Sequence, residues 1–194
     1  MRGTMTATGV AVALLLACGV ARAGSGDGPP RRIAATAVVD SSQGTRRMPV
    51  TFAAYRFTPV EQARRFAGIL ERGGQQALLS TLRGRNDGEV QLGAMTLPIA
   101  LVVAARTEDG GWRMLFLTPR RIQVREQQFG EESLEYPFGV LDLHIDDRGH
   151  GEGELHVAAR VEVDGAGHVT YEDFDGMDGF LEDVRVLGDH PLSR

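Results

Sequence analysis

Three groups of residues in this 194-residue chain combine side-chain types and spacings that could do chemistry. The first lies in two neighbouring segments. Leu141, Leu143 and Ile145 alternate with Asp142, His144 and Asp146, so a strand here sends the polar set to one face. If Asp147–His150 turns this strand back on Gly153–Val163, Asp142 faces His156 and His144 faces Glu154. Two imidazoles and two carboxylates on one face form a donor set for zinc or for general acid–base work. The same pattern also describes the wet face of an antiparallel pair, where opposite charges pair routinely. A flat sheet face, moreover, lacks the shaped pocket of a catalytic zinc site.

The second group, Glu162 to Asp173, can be laid on an EF-hand calcium loop. Asp164 then falls at the third position, Gly167 at the glycine of the sixth and Asp173 at the twelfth. Ala166 offers no ligand at the fifth position, and the flanking residues alternate with the period of a strand where a helix is required. A β-hairpin turned by Asp164-Gly165-Ala166-Gly167 accounts for the same residues. The third group is acidic. Asp173, Asp175, Asp178, Glu182 and Asp183, spaced by Gly176 and Gly179, could gather oxygens around calcium or form a solvated loop. No cofactor is expected beyond these zinc or calcium readings. The chain has no Gly-x-Ser-x-Gly elbow, His-Glu-x-x-His helix or P-loop, and Gly149, Gly151 and Gly153 precede no helix that would cradle a phosphate.

The elements that must position these residues are mostly strands. Ile33–Asp40 and Met48–Phe57 read as a first pair, with Ser41-Ser42-Gln43-Gly44 in the connection. Thr58 as N-cap, Pro59 at the first helical position and Glu61 two residues later predict a helix with its stripe at Val60, Ala63, Phe66, Ala67 and Leu70. Gly73-Gly74 ends it, and Gln75–Leu82 reads as a second short helix, giving an α-hairpin. Strands follow at Pro98–Arg106, Trp112–Thr118, Arg121–Gln128, Leu134–Ile145, Gly153–Val163, His168–Phe174 and Phe180–Val186. The expected fold is mainly β (α+β): an antiparallel β-sandwich or partly open barrel of about eight or nine strands with one inserted α-helical hairpin.

Gly110-Gly111-Trp112-Arg113 with Leu117-Thr118, Tyr136-Pro137-Phe138, Asp146 to Gly153 and Asp183-Val184-Arg185 together resemble an uncharacterised family of exported bacterial proteins. The likeness spans roughly Phe57 to Val186. It implies an exported bacterial domain, and because that family has no established activity it assigns no catalytic residue.

The N-terminus agrees with export. Arg2, the apolar run Val10–Ala17 and the small-x-small Ala21-Arg22-Ala23 form a secretory signal over residues 1–23. Leu15-Leu16-Ala17-Cys18 also resembles a lipobox, which would end the signal at residue 17 and lipidate Cys18. Both readings place the protein in the periplasm or outside the cell, or hold it in the envelope by a lipid anchor. Cys18 is the lone cysteine, so the mature domain has no internal disulfide and no thiol nucleophile. Residues 24–32 read as a flexible leader and 33–194 as a single β-rich domain.

All 21 basic residues are arginine, the mark of a GC-rich genome, and the net charge is −5. Residues 1–125 carry 17 arginines against 8 acids, and residues 126–194 carry 4 against 18. The two halves are expected to neutralise each other within one domain. An acidic, exported chain without arginines clustered among aromatics is a poor nucleic-acid binder. The expected function is a non-catalytic binding or structural module meeting an envelope partner. The alternatives are a carrier for an apolar small molecule in a β cavity capped by the helices, and a metal-dependent enzyme or calcium-binding module.

Overall fold

The computed structural model describes residues 28–39, 44–122, 135–163, 169–174 and 178–188. Outside them lie the expected signal with Cys18, residues 24–27 of the expected leader, Ser41 to Gln43, residues 123–128 of one expected strand, residues Asp164 to His168, and Asp175 with Gly176.

Among the described residues ten strands and one helix follow in order: β1 (Arg32–Val39), β2 (Arg46–Ala54), α1 (Val60–Leu82), β3 (Gly88–Leu92), β4 (Met95–Ile99), β5 (Leu101–Arg106), β6 (Trp112–Thr118), β7 (Phe138–Ile145), β8 (His150–Val163), β9 (Val169–Asp173) and β10 (Asp178–Val186). Nine form one antiparallel path, β4-β3-β2-β1-β10-β8-β7-β6-β5, and β9 adds to β8 off that path. The two ends of the path are joined by Ala100 alone, whose N–H donates to the Leu117 carbonyl at 2.9 Å. The sheet therefore curls into a nearly closed antiparallel barrel, which leaves little free strand edge.

Strict alternation builds the interior. Ile33, Ala35 and Ala37 of β1, Val50, Phe52 and Ala54 of β2, and Leu141, Leu143 and Ile145 of β7 all enter one core with Met114, Phe116, Leu155, Leu181 and Val184. The Phe52 and Phe116 rings meet at 5.0 Å, tilted as aromatic pairs prefer. Curvature comes from irregular pairing between Ala34 and Thr36, between Phe138 and Val140, and between Leu181 and Val184. At the last of these, Asp183 takes φ 54°.

The helical part is one kinked helix and not the expected hairpin. Only Gly74 leaves helical geometry (φ 66°, ψ −169°), and a single residue is too short to be the turn of two antiparallel helices. Pro59, not Thr58, stands at the N-cap, and no side chain caps it. Thr58 is drawn instead to β5: its N–H donates to the Val102 carbonyl at 2.7 Å and its hydroxyl accepts from Val102 N–H at 3.3 Å. The helix packs on the outer wall, where Phe66, Leu70, Leu78, Leu79 and Leu82 meet Leu101, Val103, Leu115, Leu117 and Val140 in a second core. This cover explains why β5 and β6 are apolar on both faces. The run Pro98–Arg106, which reads as one central strand, is instead divided at Ala100, on the barrel seam, between the end of β4 and β5.

Asp87 fixes the return from α1 to β3. Its side chain is fully buried, Arg56 meets Oδ1 through Nε at 2.9 Å and Nη2 at 2.5 Å, and Arg85 Nη2 pairs with Oδ2. Arg85 also donates to the Ala100 carbonyl at 2.9 Å and lies over the Phe66 ring, so one carboxylate ties β2, the seam and the helix together.

Candidate functional site

The β7–β8 turn sets the site. Asp146 N–H donates to the His150 carbonyl at 2.7 Å, and the Asp146 carboxylate accepts from the Arg148 and His150 amides at 2.9 and 2.8 Å. Gly149 at φ 83° closes a three-residue loop, a conformation glycine adopts without strain. The register that follows pairs Asp142 with Glu154, His144 with Glu152 and Val140 with His156. The expected facing of Asp142 with His156 and His144 with Glu154 is thus displaced by two residues along β8, because Asp146 already lies opposite His150 across the turn, where that facing needs it opposite Glu152. The shared outer face survives, since the displacement is even-numbered.

On that face Asp142, 2% exposed, accepts from Arg113 Nε at 3.2 Å and Nη2 at 2.6 Å in a two-pronged ion pair. The Tyr171 hydroxyl of β9 lies 3.1 Å from Asp142 Oδ2 and 3.2 Å from Glu154 Oε2. Burial first, then the two carboxylates, push this phenol well above its ordinary range, so it keeps its proton. Its one proton is shared between the two oxygens.

His156 packs against Tyr171 with ring centres 4.4 Å apart and planes tilted by 49°, and its Nδ1 meets Asp173 Oδ1 at 2.6 Å. Its Nε2 is buried without a hydrogen-bond partner, 3.4 Å from Glu154 Oε2. Burial works to lower the His156 pKa, but the hydrogen bond and charge of Asp173, with Glu154, outweigh it and raise the imidazole above its usual value.

Rows across the wall show how apolar and anionic surfaces meet. One row runs Val103, Leu115, Asp142, Glu154, Phe180, and the row beside it Leu101, Leu117, Val140, His156. On the β5–β6 side, α1 encloses a pocket of about 50 Å³ lined by Ala63, Phe66, Ala67, Leu70, Val103 and Leu115, among others, with the Tyr171 ring at its border. On the β7–β8–β10 side lies an open groove of about 450 Å³ bordered by Asp142, His144, Glu152, Glu154, Phe180 and Glu182. Phe180 is 59% exposed there. Leu115 of the pocket and Asp142 of the groove are direct cross-strand partners.

Of the residues singled out from sequence, Asp142, Glu154, His156 and Asp173 come together, while His144 stays exposed opposite Glu152. Glu182 pairs with Arg47 at 2.6 Å on the barrel wall. Asp164, Asp175 and Cys18 lie outside the described residues. Among the described residues no three His, Asp or Glu side chains gather as a metal ion requires, and no helix is long and apolar enough to cross a membrane. Sequence reasoning missed Tyr171 and Arg113. Arg113, a single charge inside the apolar run Trp112–Thr118, carried a usable signal, because a charge in such a strand needs a partner.

No protein-family model, curated protein or solved structure matches the chain.

Proposed function

We propose that this chain is an exported bacterial envelope module that binds a small molecule by a hydrocarbon group, between α1 and the barrel wall, without converting it. The observation that carries this reading is the pocket under α1. Among the described side chains on its border only Tyr171 has a polar atom, and that hydroxyl is engaged by Asp142 and Glu154. A water molecule needs about 10–15 Å³ and two or more polar partners, so a pocket of this lining stays dry and favours hydrocarbon. The barrel interior offers no comparable reading, being packed with Phe52, Phe116, Met114, Leu141 and Leu155, all below 2% exposure.

At about 50 Å³ the pocket admits a short hydrocarbon segment. Ligand sites for larger molecules run to about 300–1,000 Å³, so a longer group requires α1 to lift. The kink is placed for that motion. Gln75, just past Gly74, is held to β8 by hydrogen bonds of 2.6 and 3.1 Å with the Val161 backbone, whereas most of the helical lining precedes Gly74.

Native mass spectrometry of the exported protein incubated with decan-1-ol tests the function, with one bound molecule per chain expected and an unliganded mass counting against it. The intact mass of the same preparation tests export: a chain beginning at Gly24 or at a lipidated Cys18 supports it, and one beginning at Met1 overturns it.

A further inference from the structure

We infer that the preferred ligand carries a protonated amine on its hydrocarbon, with the tail under α1 and the ammonium in the groove beside Glu154 and Glu152. The inference rests on the hydrocarbon-pocket reading and deepens it by naming the head group.

Adjacency comes first. Leu115 borders the pocket and its cross-strand partner Asp142 borders the groove, so the two surfaces meet within the spacing of neighbouring strands, about 4.8 Å. Tyr171 bridges them, its ring on the pocket and its hydroxyl on Asp142 and Glu154. A ligand leaving the pocket on this side meets carboxylates.

Charge complementarity then selects the head. Arg113 answers Asp142 at 2.6 Å, Arg47 answers Glu182 at 2.6 Å, and His156 answers Asp173 at 2.6 Å. Glu152 has no cationic partner among the described residues. Glu154 has the shared Tyr171 proton and a 3.4 Å approach of His156 Nε2 that lacks hydrogen-bond geometry. His144 borders the groove opposite Glu152 without an ion pair to it among the described residues, so carboxylates outnumber cations there, and an ammonium supplies both charge and hydrogen-bond donors. Phe180, more than half exposed beside Glu154 in the row, adds an aromatic face that a cation favours. A carboxylate head would meet like charge at the same place.

Calorimetric titration of the mature protein with decylamine, decan-1-ol and decanoate, each below its aggregation concentration, tests this. Decylamine is expected to bind about tenfold more tightly than decan-1-ol, as a charged hydrogen bond provides, and decanoate more weakly than either. Glu154→Gln and Glu152→Gln should each lower the ratio of amine to alcohol affinity. Decan-1-ol or decanoate equal to decylamine, or a ratio unmoved in both variants, overturns the amine inference and leaves the pocket standing. Binding of none of the three overturns both.

Discussion

Asp87 and His156 are buried ionisable residues with different duties. Asp87 is fully buried between Arg56, whose side chain is 65% exposed, and Arg85, which is 20% exposed. Replacing Asp87 with alanine strands Arg85 beside the helix and unties the seam, at a cost of about 3 kcal/mol. Arg56→Ala leaves Arg85 in place and removes a mostly solvated partner, costing under about 1 kcal/mol. Urea unfolding of both variants checks the contrast, and equal losses would contradict it. His156 is held above its ordinary pKa by Asp173 and Glu154. A raised native pKa contributes stability that is complete below the unfolded value, about 6.5, and fades as pH rises through the native one. The melting temperature of wild type minus that of His156→Gln should therefore be largest near pH 5–6 and shrink toward pH 9. A difference constant with pH would show that the imidazole charge has no part in holding β9.

Most elements could be read from the sequence because alternation is a strong signal; their register could not. Trp112–Thr118 is legible residue for residue and β1, β9 and β10 to within two residues, whereas the bounds of β2, β7 and β8 differ by up to three or four, and β3 and β4 have no strand of their own in the sequence reading. The facing of Asp142 and His156 is misplaced because register depends on which residues close a turn: Asp146 lies opposite His150, two residues short of the Glu152 that the expected facing requires. Tyr171 went unnoticed because its partners sit on other strands, across loops whose lengths do not dictate pairing. The helix break shows the same limit: Gly73-Gly74 marks an interruption, but only tertiary packing decides whether a kink or a turn results. At Gly74 the backbone sits in a region open essentially to glycine, and a Cβ there would touch nothing within 4 Å. Gly74→Ala is thus a test of backbone alone, expected to lower unfolding free energy by about 1–3 kcal/mol. A neutral result would mean that α1 can run straight without leaving the wall.

Across the whole molecule the basic and acidic halves do meet, through Arg47 with Glu182 and Arg113 with Asp142. Neutralisation is incomplete at the groove, where Glu152 has no cationic partner among the described residues and Glu154 has only His156 at 3.4 Å, which it shares with Asp173. Beside it the wall under α1 is packed less completely than the barrel interior, which is the basis of the binding reading. Filling that space should separate stability from function. Ala67→Leu places methyl groups of a good helix former in the pocket and is expected to raise stability by about 0.5–2 kcal/mol while removing the ligand's place. The most direct measurement is calorimetric titration of decan-1-ol into wild type and Ala67→Leu at several temperatures. Wild type is expected to bind saturably, one to one, with the negative heat-capacity change of apolar burial, and the variant not at all. Equal binding to both proteins, or no binding to either, would contradict the binding reading.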